Sequence, residues 1–116
     1  MATFTFDLNA LRETLAGKIE AEGLTVALDP RDVNPPCVLI GVPRVVGVLT
    51  GCAVAVELSV EIVAPPPGNL DALEWMLEQV PTVMGATGAE GGSGASRRIA
   101  DTELPVYQLN ILTTAT

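Results

Sequence analysis

A chain of 116 residues with 14 acidic and six basic side chains and no histidine has the size of one domain, since domains typically hold about 100–150 residues. Its net charge of −8 repels phosphate backbones and opposes the counterion release that drives nucleic-acid binding, so direct DNA binding is disfavoured. The missing imidazole excludes Cys/His zinc sites and the usual Ser–His or Cys–His nucleophile pairs.

Hydrophobic residues make up 48% of the chain and aromatics only 3%. The core must therefore be built from Val, Leu, Ile and Ala, which argues for a thin sheet-and-helix sandwich rather than a large pocketed enzyme. Such a domain buries roughly 60–70% of its unfolded surface. The opening MATFTFDLNALRET has no basic region followed by a long apolar run, and no stretch approaches the roughly 18 apolar residues of a membrane span. The expectation is a soluble, cytoplasmic product without a membrane partner. Cys37 and Cys52 lack a C-x-x-C spacing and are expected to be small core residues rather than a disulfide.

In chain order, Leu8, Leu11, Leu15 and Ile19 recur at steps of three or four while Arg12, Glu13, Lys18, Glu20 and Glu22 occupy the rest of the surface. That is an amphipathic helix. Asp7 can cap it and Gly23 can end it in the left-handed conformation. Phe4 and Phe6 before it read as a hydrophobic plug on the helix base. Leu24–Leu28 follows as a short strand closed by Asp29-Pro30, and Pro35-Pro36 stiffen the loop before Cys37–Val42. The unbroken apolar run CVLIGV suits a strand covered on both faces. Arg44–Leu49 reads as a short or irregular strand after Pro43, with Gly51 as a turn or bulge.

Cys52–Val63 is the cleanest strand: Cys52, Val54, Val56, Leu58, Val60 and Ile62 point to one side, and Ala53, Ala55, Glu57, Ser59 and Glu61 to the other. Ala64-Pro65-Pro66-Pro67-Gly68 stops it, and Asn69 is the expected N-cap of a helix from Leu70 to about Val80. Leu70, Leu73, Met76, Leu77 and Val80 are its expected buried stripe, with Trp75 at the edge. The segment from Gly85 to Ser96, rich in glycine and poor in apolar side chains, reads as a mobile loop. Strands are expected at Arg97–Ala100 and Leu104–Thr113, with Pro105 placing the start of the latter at a sheet edge. The sum is a single α+β domain over residues 1–116, an antiparallel or mixed sheet of about four to five strands packed by two helices.

No constellation in this pattern carries chemistry. Gly88, Gly91, Gly92 and Gly94 lack the GK[ST] ending of a phosphate loop. Glu57 and Glu61, four apart on a strand, are about 13 Å from each other at roughly 3.3 Å per residue, too far for a shared-proton dyad; they read as a solvated or lumen-facing stripe. Ser93 and Ser96 have no base to activate them. Asp29 and Asp32, with Arg31 between them and prolines on either side, read as a structural turn with a local ion pair rather than a metal site. The reading is of a protein that is not an enzyme, with no catalytic, cofactor or metal residues.

The succession of a helix, a short strand, the run from Asp29 to Gly41 (DPRDVNPPCVLIG), an alternating strand, VAPPPGN from Val63 to Asn69 with Ala72, Leu73 and Trp75, and a late strand opening on Leu104–Tyr107 resembles the tail terminator proteins of long-tailed actinobacterial phages. The resemblance spans most of the chain and its motifs are structural rather than chemical. It implies an α+β subunit in a homohexameric ring on the last ring of the tail tube protein. There it ends tube polymerisation and presents a surface to the head–tail connector or stopper, located in the virion after assembly in the host cytoplasm. DNA would pass through without specific binding, and no cofactor is implied.

On that reading the loops 29–36, 44–51 and 85–96 carry the contacts, because loops on a rigid scaffold carry recognition. Arg31, Asp32, Arg44, Arg97 and Arg98 are the expected charged anchors, Trp75 either packs in the core or marks a neighbour contact, and Glu57 and Glu61 are candidates for lining an acidic channel. The alternatives are a head-completion or neck connector protein, and a small acidic monomeric protein-binding module of regulatory or toxin-neutralising type. Light scattering separates a ring from a monomer.

Overall fold

A computed structural model describes residues 6–50, 53–65, 70–99 and 102–115. The chain runs α1 (Leu8–Glu20), β1 (Val26–Ala27), a short 3-10 turn (Pro30–Asp32), β2 (Cys37–Ile40), β3 (Arg44–Thr50), β4 (Ala53–Val63), α2 (Leu70–Thr87), β5 (Gly91–Ile99) and β6 (Thr102–Ala115). Among the described residues six strands form one mixed sheet in the order β1-β2-β4-β6-β5, with β3 attached to β4. Only β1 and β2 run parallel; the other neighbours are antiparallel. The two helices pack this sheet, as the α+β reading requires.

Local chemistry sets these boundaries. The Asp7 carboxylate accepts the Ala10 N–H at 3.1 Å, satisfying a donor that a helix start leaves without a partner. Gly23 takes φ +89° just beyond α1, a conformation that glycine reaches without a Cβ clash. Alternation along β4 sends Val54, Val56, Leu58, Val60 and Ile62 into the interior, where they meet Leu15 and Ile19 of α1, Met76 and Val83 of α2, and Leu109 and Ile111 of β6. Ile19 is wholly buried there. Truncation to alanine removes its methyl groups from the core and leaves a cavity, at a cost of about 2–5 kcal/mol.

The other face of the sheet is covered only at one end, where Val33 of the proline-rich loop packs on Ala27, Cys37, Leu39, Val63, Ile99, Leu104 and Val106. This explains the unbroken apolar run in β2: all four of its residues are buried, because helices cover one face and the loop the other.

Three expectations need correction. The glycine-rich stretch is not a loop throughout: α2 continues to Thr87, and Gly91 onward is strand β5, paired with β6 from Gly91↔Asn110 to Ile99↔Thr102. Backbone hydrogen bonds make that ladder, so it needs few apolar side chains. Glycine also permits a close approach, because a Cβ on Gly92 would lie 2.2 Å from the Gln108 carbonyl oxygen. α2 does not end near Val80 but passes through Pro81 and stops before Gly88 at φ +75°, whose N–H bonds the Met84 carbonyl. Pro105 does not mark an edge either, since β6 lies between β4 and β5. Its carbonyl accepts from Ala64, just past the end of β4. A strand residue directs its N and its C=O to the same side, so the missing N–H falls where the β4 ladder has already ended.

Phe6 packs against the core as a plug would. Phe4, Gly51, Cys52 and Asn69 lie outside the described residues, so their expected roles have no structural counterpart.

Candidate assembly surfaces

One exposed apolar surface is an edge of the sheet. β2 and β3 lie one after the other along the same side of β4, opposite residues 60–63 and 53–57 respectively. Among the described residues no strand pairs with the outer side of β3, and none with the outer side of β5 at the opposite margin. A free edge presents a row of unpaired N–H and C=O groups and is a template for another strand. β3 is an unprotected one: Val45, Val46, Val48 and Leu49 are all exposed, as is Val42 just before it, with Val48 at 64%. Pairing shifts between Val45 and Gly47 and again between Val48 and Thr50, so apolar side chains emerge on both faces.

Arg44 opens this strand opposite Glu57 and its guanidinium lies 3.6 Å from that carboxylate, both side chains largely exposed. An exposed pair of this kind contributes at most about 1 kcal/mol. Arg44 therefore fixes the strand only lightly and stays accessible to a neighbour.

The other charged anchors have different surroundings. Arg31 is engaged within its own loop: its N–H donates to Asp29 Oδ1 at 2.9 Å and its Nη2 to Asp29 Oδ2 at 2.8 Å. This is the local ion pair expected from the sequence. The hydrogen bonds from Arg31 hold the Asp29 carboxyl below the usual carboxylate range and the guanidinium correspondingly above its own. Asp32 is exposed at the end of that turn. Arg98 is exposed on β5 opposite Glu103, which accepts the Ser96 hydroxyl at 2.9 Å. Arg97 stands opposite Leu104 in the ladder; its side chain lies outside the description. Trp75 is half-buried and packs against the core, which accounts for it without a neighbour.

Glu57 and Glu61 share a face, as the alternation demands, but not an environment. Glu57 is exposed, whereas Glu61 is 2% exposed, so Glu61 is not part of a solvated stripe. It stands opposite Leu39 of β2 and Gln108 of β6, in the interior of the sheet. It also borders a cavity of about 440 Å³ lined by Arg12, Asp29, Leu39 and Ile40. Arg12 crosses from α1 to close that corner, its guanidinium donating to the carbonyls of Leu28 and, at 3.0 Å, of Ile40. It thereby ties the helix to the ends of β1 and β2. The sequence placed Arg12 only on the outer side of α1. Its long side chain reaches back over apolar surface, and periodicity carries no sign of that.

α2 supplies a further surface. Its sheet-facing side is Ala72, Met76 and Val83, with Val80 half-buried beside them. Leu70, Leu73 and Leu77, expected in the core, are 67%, 45% and 48% exposed. The apolar arc of this helix is wider than the part of it that the core covers.

Among the described residues no group of three or more Asp, Glu, Cys or His side chains converges as metal ligands would, and no helix is long and apolar enough to cross a membrane. No protein-family model matches the chain, and no curated protein is significantly similar to it.

Proposed function

We propose that this chain is a structural subunit of a long-tailed phage, assembling as a hexameric ring that caps the tail tube, ends its polymerisation and joins the tail to the head connector. The observation that carries the reading is that, among the described residues, the sheet is open at both lateral margins, β1 and β3 on one side and β5 on the other, with the β3 margin apolar. Two different free edges on one subunit suit head-to-tail contacts, and such contacts repeat until they close a ring or run on as a filament. Burying β3 against the next copy would pair its backbone groups and remove its exposed valines from water. The resemblance in the segments 29–41, 63–69 and 104–107 supplies the rest of the reading.

The face of the sheet away from the helices suits a lumen. Beyond the Val33 end it carries Ser59 opposite Asn110 and Ser93 opposite Gln108, and Glu57 between Arg44 of β3 and Leu112 of β6. Together with a net charge of −8 this surface would not hold a passing phosphate backbone, because like charge removes the electrostatic attraction. Glu57 is the carboxylate with the exposure for that role. A head-completion ring of the same neck would use the same edges and differ only in its neighbours.

The test is the mass of the purified chain in solution, alone and with its tube protein, by light scattering. A hexamer that the substitutions Val46→Lys and Val48→Lys reduce to a folded monomer is the expected result. A monomer under both conditions would overturn the proposal.

A further inference from the structure

The exposed leucines of α2 lie on a helix packed over β4 and β6 rather than on the β3 or β5 margin, and we infer that they bind an amphipathic helix of a different protein, one whose apolar ridge is flanked by lysine or arginine. Leu70, Leu73 and Leu77 are spaced three and four apart, so they form one ridge on the helix surface. Half-buried Val80 and Met84 continue it toward the core. A ridge of this spacing is the recognition pattern of helix-on-helix docking.

Charge decides the occupant. Along its other border the ridge meets Glu74, four residues from Leu70 and three from Leu77, and beyond it Asp71 and Glu78; α2 contains no basic residue in its 18 positions. Pro81 adds an acceptor beside the ridge, because proline has no N–H to close the helical bond to the Leu77 carbonyl. Carboxylates and a carbonyl left without its helical donor call for a partner that donates.

The helices of a second copy offer little of this, because α2 is itself acidic and α1 exposes Lys18 alone among its basic residues. Two α2 ridges face to face would oppose their own carboxylates, and like charge at an interface is strongly disfavoured. α1 already buries its apolar side through Leu15, Ala16 and Ile19, and its Arg12 is engaged by the carbonyls of Leu28 and Ile40. The inference does not depend on ring formation, since the ridge is exposed on the single chain.

The test uses the full chain and two synthetic helical peptides with the same leucine ridge, one flanked by lysines and one by glutamates, titrated by calorimetry. Saturable binding of the lysine peptide at least about tenfold tighter than the glutamate peptide is expected. So is a loss of about tenfold or more in the double substitution Leu73→Ser with Leu77→Ser, and again in Glu74→Lys with Glu78→Lys. These side chains are exposed, so an unchanged melting temperature verifies that each variant is folded. The inference is overturned if the serine variant binds as well as the parent, if the two peptides bind equally, or if neither binds. It is equally overturned if the serine substitutions abolish self-association, which would make a second copy the occupant. Because peptide binding is read on the monomer as well as on any ring, its failure is distinguishable from failure of hexamer formation.

Discussion

Replacing Gly92 by alanine asks whether the glycine-rich stretch is a docked strand. The added Cβ would stand 2.2 Å from the Gln108 carbonyl oxygen and 2.8 Å from Leu109 Cδ2. Leucine can rotate away, but the carbonyl belongs to the backbone of β6, a strand held on both sides. Relief therefore requires β5 to back off by about 1 Å, which weakens the ladder on either side of the substitution. Forced overpacking of this kind costs about 1–3 kcal/mol, and at about 4 °C per kcal/mol for a domain of this size the melting temperature falls by about 4–12 °C. Gly91→Ala is the matched control, because its Cβ would meet nothing within 4 Å. There the lower entropy of the unfolded chain leaves stability unchanged or raises it by up to about 1 kcal/mol. Calorimetric melting of the two variants reads the difference directly. Equal melting temperatures would refute the pairing of β5 with β6, and with it the free β5 margin on which the ring depends.

Other outcomes follow from burial and charge. Glu61→Lys introduces a cation into the interior of the sheet and should cost at least about 3 kcal/mol in denaturant unfolding, whereas Glu57→Lys should stay within about 1 kcal/mol; equal costs would mean that the two share an environment after all. The buried Cys37 thiol, held above its usual range by desolvation, should resist a thiol reagent in a Cys52→Ser background until the protein unfolds. A raised folded-state value means that this group's contribution to stability is complete below the unfolded value of about 8.5 and is lost as pH rises past it. Denaturation midpoints of that background should therefore decline above pH 8.5 more steeply than those of a Cys37→Ala variant, and parallel curves would contradict the burial. Arg31→Ala should leave stability nearly unchanged, since both partners of its ion pair with Asp29 lie in solvent, and a large fall in melting temperature would show that the turn depends on it.

What the sequence revealed and what it hid divide along a physical line. Alternation in β4, the leucine steps of α1, its Asp7 cap and the doubly covered β2 were legible, because local spacing decides which side chains meet the core. The glycine-rich first part of β5, ahead of the strand expected from Arg97, was not, because glycine reads as flexibility when only the chain itself is considered. Its use here, room for the Gln108 carbonyl, depends on a strand more than ten residues away. The leucines of α2 were misassigned for a related reason: the helical period finds an apolar arc, but the sheet beneath determines how much of that arc is covered. Glu61 shows the converse, since two carboxylates on one face of a strand look equivalent until β2 and β6 enclose one of them. The exposed margin of β3 left a trace in RVVGVL, a strand apolar on both faces, which is the composition of an edge awaiting a partner.

The measurement that bears most directly on the proposed ring is cryo-electron imaging of the neck of tailed phage particles that, on the proposed reading, incorporate this chain. The account predicts six copies in a closed ring between the last tube ring and the head connector, with β3 of each copy against β5 of the next and Glu57 toward the lumen. A single copy, a ring of another symmetry, or particles that lack the chain would contradict it.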